Sequence, residues 1–425
     1  MYACPSFYRP SFKKLEGLSM KKERLLIFYL GLLPFVMVLG NSMLIPILPD
    51  IRRSLNLSGF ETGLILSMFS IPAAIIIPFI GFLSDRWGRR LMILLSLLFV
   101  ITGSFICGLS GLIPSNRISF SVLLTGRIIQ GIGAAGTTPL AMALVGDIFT
   151  DNRSKVLGVL EVYNGAGKLV APVLGALAAL KSWYLAFYLF PVTAAISYWG
   201  IKKHVPKAKS GKDFFSINEY TIKILKTFNK KRNFLFPLYL SGGVSMFVMF
   251  GILYYLSFLI EETYQIDGFF KGVTYMFPLG AMTIVSYWTG KRLKTCREEL
   301  NGLLFLGNIL MVGCFIALIL FHSFSFLLFF ITLAFGSMGF ILPSINMAVT
   351  SSVPDSERGF VVSLYGTFRF LGVALGPVVF ENWMDEDERI FIYPALILLA
   401  SFFYFVFSNR REYFSLIQSL RPGQR

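Results

Sequence analysis

The chain has 425 residues, 55% of them hydrophobic and only 15% charged, with a mean hydropathy of +0.68. Soluble domains carry about 25% charged residues, so the composition excludes an ordinary soluble fold. The formal net charge of +16 would suit a nucleic-acid partner, but its placement along the chain points to a bilayer instead.

A membrane-crossing helix needs ~20 mostly apolar residues. After a basic extension over 1–24, such stretches lie near 25–48, 61–81, 91–112, 118–147, 156–180 and 182–202. The first follows Lys21-Lys22-Glu23-Arg24 but is of full span length and lacks a small-residue cleavage site, so no removable signal peptide is expected. Residues 203–233 then form a long polar break. Within it Ile217, Tyr220, Ile224, Leu225 and Phe228 share one helical face, and Glu219, Lys223, Lys226 and Lys230 share the other. That pattern fits a basic amphipathic helix on the inner membrane surface, or equally a solvated linker. Six further stretches follow near 234–260, 270–290, 301–321, 324–350, 360–382 and 390–409, and a tail covers 410–425. The expected fold is an all-α membrane protein with twelve transmembrane helices in two six-helix bundles, 25–202 and 234–409.

An even number of spans puts both termini on one side. That side and its loops hold 30 Lys and Arg, whereas the other holds 6: Arg52, Arg53, Arg117, Lys181, Lys271 and Arg389. Basic loops stay in the cytoplasm, so the termini and the linker are expected there, in a multi-pass protein of the cell membrane. The positive charge reports topology, and nucleic acid is set aside. The cysteines (Cys4, Cys107, Cys296, Cys314) form no disulfide framework, and two histidines, His204 and His322, give no metal spacing. No metal and no cofactor are expected.

The two halves are related. A shift of 205 positions brings Arg153 onto Arg358, Gly167 onto Gly372, Pro172 onto Pro377, Gly131 onto Gly336 and Ala143 onto Ala348. Internal duplication of six-span units is the architecture in which two halves rock around a central site.

Residues 81–92 read Gly-Phe-Leu-Ser-Asp-Arg-Trp-Gly-Arg-Arg-Leu-Met, a charged turn between two apolar spans. This run resembles the signature between spans 2 and 3 of major facilitator superfamily transporters. Gly290-Lys291-Arg292-Leu293-Lys294 is similar to a worn copy of it in the second half. Three more segments resemble the twelve-span drug:proton antiporter group. They are Leu39-Gly40 with Pro46 and Pro49 in span 1, Arg127-Ile128-Ile129-Gln130-Gly131 in span 4, and Gly167 to Ala176 with Pro172 in span 5. In span 5 Ala171 and Ala176 replace glycines of the group's pattern and Lys168 intrudes, while span 11 keeps Gly372, Gly376 and Pro377. The resemblance implies a conformational latch at Gly81, Asp85, Arg86, Gly88, Arg89 and Arg90, with Asp85 near the start of span 11 around Ser356–Phe360. The alternative for that turn is a loop that only sets topology. Gly167, Pro172, Gly376 and Pro377 are candidates for gating, or for plain close packing of helices.

Few ionisable residues fall within the spans: Arg127, Glu161, Lys168 and Arg369. Each costs ~2.5–3.5 kcal/mol or more at mid-bilayer, so such groups face a cavity or one another. Glu161, Asn164 and Lys168 share a face of span 5, and the 205 shift sets Asn164 against Arg369. Together with Asn41 of span 1, Asn164, Lys168 and Arg369 are the candidate substrate-cavity residues, and Phe35, Tyr163, Phe247, Tyr254 and Phe368 are aromatic candidates for its lining. Glu161 is the leading proton carrier. Burial and nearby cations pull its proton affinity in opposite directions, and the alternative is a permanent pair with Arg127 or Lys168. Antiporters of this group often carry an acid in span 1; here that span offers Asn41 and, at its outer end, Asp50, the second candidate. Arg127 resembles the motif arginine that tunes such a proton.

The three cations and one acid within the spans favour an anionic or zwitterionic substrate, such as a siderophore, over a lipophilic cation. No nucleotide-binding G-x4-G-K-[ST] loop and no catalytic constellation occurs, so an enzyme is not expected. The expected function is proton-coupled efflux of a small organic compound, driven by the proton gradient, by a monomer whose partners are substrate, protons and lipid. Proton-coupled uptake is the alternative.

Overall fold

The computed structural model describes residues 20–149, 152–205, 217–295, 299–321, 323–353, 355–384 and 389–408. Cys4, Cys296, His322 and the tail from 409 onward lie outside these residues, as do 206–216 of the linker. Cys107 and Cys314 are buried free thiols.

Among the described residues the chain is helical, without strands. The first half contains α1 (Met20–Ser42), α2 (Leu48–Leu55), α3 (Gly59–Trp87), α4 (Arg89–Ser110), α5 (Asn116–Ala134), α6 (Thr137–Ile148), α7 (Arg153–Ala179) and α8 (Ala186–His204). The second contains α9 (Ile217–Phe258), α10 (Gly268–Thr295), α11 (Leu300–Leu320), α12 (Phe324–Ser351), α13 (Asp355–Glu381) and α14 (Arg389–Ser408). All twelve stretches read from the sequence lie on helix. Among the described residues, ten helical segments are long and apolar enough to cross a membrane. The two long helices outside that set are α7, which carries Glu161 and Lys168, and α10, which carries Lys271.

The breaks have local causes. Pro46 and Pro49 lack the N–H that would continue α1, so the chain passes through a 3-10 turn, Ile45–Ile47, before α2. Ser58 and Glu61 close a capping box that starts α3. Gly88 separates α3 from α4 at φ 90°, a backbone region that glycine reaches without strain. The expected single span over 118–147 is broken between Ala134 and Thr137, in a glycine-rich stretch (Gly131, Gly133, Gly136). Residues 217–230 of the expected linker continue into the seventh span as one 42-residue helix, α9, which ends in a π turn over Leu259–Thr263.

The chain divides into two compact units, Met1–Thr221 with Ile260–Gly272, and Ile222–Leu259 with Val273–Arg425. In unit 1, Leu30 and Leu33 of α1, Ile93 and Leu97 of α4, Leu144 of α6, Leu160 of α7 and Ile201 of α8 share one core. Large apolar side chains such as Ile75, Phe105, Leu109 and Trp199 stay exposed, as lipid-facing residues do. The sequence repeat is also a packing repeat. Within unit 1, α4 packs on α5 and α8, and α1 on α7. Within unit 2, α11 packs on α12 and α14. There α13 meets α9 so closely that a Cβ on Gly372 would run into the carbonyl of Gly243.

Candidate functional site

Arg127 of α5 has no exposed surface. Its Nε donates to the Ile65 carbonyl at 2.9 Å, and its Nη1 donates to the Gly40 carbonyl at 2.7 Å and to Gln130 Oε1 at 2.6 Å. Nη2 donates to Asn41 Oδ1, and the guanidinium stands 4.5 Å from the centre of the Phe69 ring. Gly40 lies in the last turn of α1, where carbonyls lose their helical donors, so the cation caps that end and meets its negative dipole. The glycines of the motifs explain the burial. A Cβ on Gly40 would strike the Phe69 ring, and one on Gly131 the Phe69 carbonyl, so only glycine lets α1, α3 and α5 converge here. Asn41 also donates to Ser70 Oγ, and Gln130 to Ser104 Oγ, both at 2.9 Å. Asn41 is therefore part of the packed interior, and every donor–acceptor pair of Arg127 is with a neutral group.

Glu161 sits elsewhere on α7. It is exposed, and its carboxylate makes no hydrogen bond or ion pair among the described residues. The structure thus brings it together with neither Arg127 nor Lys168. Asn164, one turn on, has a buried Oδ1 without a hydrogen-bond partner among the described residues, and Lys168 is half-buried on the same face. In unit 2, Arg369 of α13 lies with its guanidinium 5.6 Å from the Tyr365 ring centre and a buried Nε that has no partner among the described residues. Tyr365 is buried, its hydroxyl also lacks a hydrogen-bond partner among the described residues, and its ring stacks on Tyr239. Each unit thus carries unspent polar capacity on equivalent helices, α7 and α13. Of the aromatic candidates, Phe35 lies against Gly167, Tyr163 against Gly31, Phe247 beside Phe380 and Trp383, and Phe368 beside Tyr239. Tyr254 donates to Glu381 Oε2 at 2.7 Å.

The charged turn is pinned inside unit 1. Arg89 Nη1 lies 2.7 Å from Asp147 Oδ2 of α6 and donates to the Ala143 carbonyl; Asp85 is farther, at 3.7 Å, and largely exposed. Arg90 donates to the Lys202 carbonyl of α8. Arg86 is exposed, and a Cβ added at Gly81 would meet nothing within 4 Å. Asp147 is the partner that sequence reading missed. The side chains of 355–358, where the expected target of Asp85 begins, lie outside the description. The candidate gating positions are close-packing points. Gly167 faces Phe35 and Val38, Gly376 faces the Phe247 carbonyl, and Pro172 and Pro377 lie inside α7 and α13.

Asp50 belongs to a charge cluster. Arg53 Nη2 lies 2.6 Å from Asp50 Oδ1 and also pairs with Glu261, which pairs in turn with buried Lys271. The sequence signal for it was present: Glu261 and Lys271 flank a short turn at the ends of two spans.

Residues 30–377 match the Major Facilitator Superfamily. The chain belongs to that family. It is a membrane transporter of small molecules and not an enzyme. It is 35% identical over 388 residues to the bacillibactin exporter of Bacillus subtilis (strain 168), covering 90% of this chain and 96% of the relative. It is 26% identical over 379 residues to the quinolone resistance protein NorA of Staphylococcus aureus, covering 87% and 92%. Among solved structures, a bacterial homologue of the human lysosomal transporter Spinster in an inward-facing conformation matches with a TM-score of 0.74 at 16% identity, over 93% of this chain and 98% of that one. The human organic anion transporter MFSD10 matches with a TM-score of 0.69 at 21% identity, over 90% and 99%. These likenesses establish the transporter fold, with twelve spans as its expected complement.

Proposed function

We propose that this superfamily member exports a small organic anion across the cell membrane in exchange for protons, by alternating access. The direction is supported by likeness along nearly the whole chain to the bacillibactin exporter and by the multidrug relatives. Bacillibactin is accordingly the first compound to test. The observation that carries the coupling is Glu161, an acid within a span whose carboxylate has no partner among the described residues. A paired carboxylate is held in one charge state; an unpaired one changes charge as its surroundings change. Lys168 and Arg369 supply positive charge on α7 and α13, and Arg369 has donors left to grip a carboxylate or catecholate in a bidentate manner.

The test uses purified protein in liposomes with an imposed proton gradient. Wild-type protein moves bacillibactin against its gradient and consumes the pH difference. Glu161→Gln binds the compound but does not concentrate it. Concentrative transport by Glu161→Gln refutes the role of Glu161, and loss of all compounds alike in Arg369→Gln refutes the anion-binding role of Arg369.

A further inference from the structure

Two stacked tyrosines in unit 2 differ in what their hydroxyls do. Tyr239 of α9 and Tyr365 of α13 lie with ring centres 6.0 Å apart and planes 28° from parallel. Tyr239 donates its hydroxyl to the Val361 carbonyl at 2.8 Å. Tyr365 is 2% exposed, and its hydroxyl has no hydrogen-bond partner among the described residues. A buried hydroxyl without a partner lowers stability, so native interiors rarely keep one without a use. Packing does not call for this one. The 205-residue shift that relates the two halves sets Tyr365 against Leu160, a fully buried leucine of the unit 1 core. An apolar side chain fills the place on α7, and the phenol on α13 adds an oxygen that packing does not require. Gly242 of α9 leaves room for the ring, since a Cβ there would collide with it.

Arg369 lies one turn along α13, and residues four apart share a helix face. Its guanidinium stands over the Tyr365 ring, 5.6 Å from the centre, and its buried Nε is without a partner among the described residues. The guanidinium is thus part of the cover on the phenol, and it is carried on a long flexible stem. Arginine can only donate hydrogen bonds, and a phenol donates to an anion as well. Two donors on one face suit an acceptor that is negatively charged.

We propose that Tyr365 is a specificity-determining residue of the substrate site. An organic anion that engages Arg369 draws the guanidinium off the ring and accepts a second hydrogen bond from the Tyr365 hydroxyl. The ligand this selects is an anion with two oxygens on one edge, a carboxylate or a catecholate, with one oxygen for each donor. A lipophilic cation gains nothing from either group. This role of Tyr365 rests on the anion-export reading above and adds a residue which that reading does not use.

The purified full chain in detergent is titrated by calorimetry with protocatechuate, which carries a carboxylate and a catechol, and separately with tetraphenylphosphonium. Tyr365→Phe removes one oxygen and keeps the ring. It should weaken binding of the anion about tenfold and leave the cation within about twofold of wild type. Its melting temperature without ligand should equal or exceed that of wild type, because the change removes an unsatisfied buried group. If the hydroxyl serves the fold instead, Tyr365→Phe melts lower and binds the anion as before, and the proposal is overturned. Unchanged anion affinity in a stable Tyr365→Phe protein overturns it too. If Arg369→Gln still weakens the anion in that case, the anion-export reading stands without Tyr365. If neither substitution affects the anion, or wild type fails to bind it at millimolar concentration, both readings fall.

Discussion

Replacing Arg127 by methionine tests whether the buried arginine holds the first unit together. The substitution keeps the length of the stem and removes the guanidinium. Four acceptors then lose a donor: the Ile65 carbonyl, the Gly40 carbonyl at the end of α1, Asn41 Oδ1 and Gln130 Oε1. A buried polar group left unsatisfied costs roughly 1–3 kcal/mol. Against this, the protein no longer buries a cation without a carboxylate partner, which recovers part of the loss. The net expectation is a destabilisation of about 2–4 kcal/mol, or a drop of about 5–10 °C in the melting temperature of a domain of this size. The assay is thermal unfolding in detergent, followed by the reaction of a fluorogenic maleimide with the buried thiols Cys107 and Cys314. Arg127→Lys should recover little, because one ammonium cannot reach Ile65, Gly40 and Asn41 at once. A melting temperature within about 1 °C of wild type for Arg127→Met, against the drop of ~5–10 °C expected, would refute the structural assignment. If transport were then also lost, Arg127 would act on the proton or the substrate instead.

Asp147→Asn should impair transport and lower stability more than Asp85→Asn, because Arg89 lies 2.7 Å from Asp147 and 3.7 Å from Asp85; equal or reversed effects in matched transport assays would refute this ordering. Gly131→Ala forces a Cβ onto the Phe69 carbonyl and should cost about 1–3 kcal/mol, whereas Gly158→Ala meets nothing within 4 Å and should be neutral or slightly stabilising. Melting temperatures of the two variants decide it.

The spans were legible because bilayer thickness imposes a length of apolar chain that composition alone reveals. The charged turn at 81–92 was legible as a motif, but its main partner was not. Asp147 lies 58 residues from Arg89, and one sequence carries no trace of which distant acid a cation meets. The same limit separated Glu161 from Arg127. A pair between them was the alternative to a titrating Glu161, since both are charges inside spans, yet the arginine found enough neutral acceptors to need no acid. Asn41 reads as a polar residue of span 1 fit for a cavity, and its neighbour Gly40 is what let it pack inward. Glu261 escaped notice, and Lys271 entered only as one of six cations of the outer loops, because each falls at a span end, where charges are ordinary.

The 42 residues of α9 form a rod of about 63 Å at 1.5 Å per residue. The hydrocarbon core is about 30 Å thick, so roughly half of the rod lies beyond it. Such a rod works as a pointer. If the membrane-embedded half tilts by about 10°, the far end sweeps about 5 Å. A spin label or fluorophore at Ile217–Thr221 would therefore read the movement of the seventh span magnified.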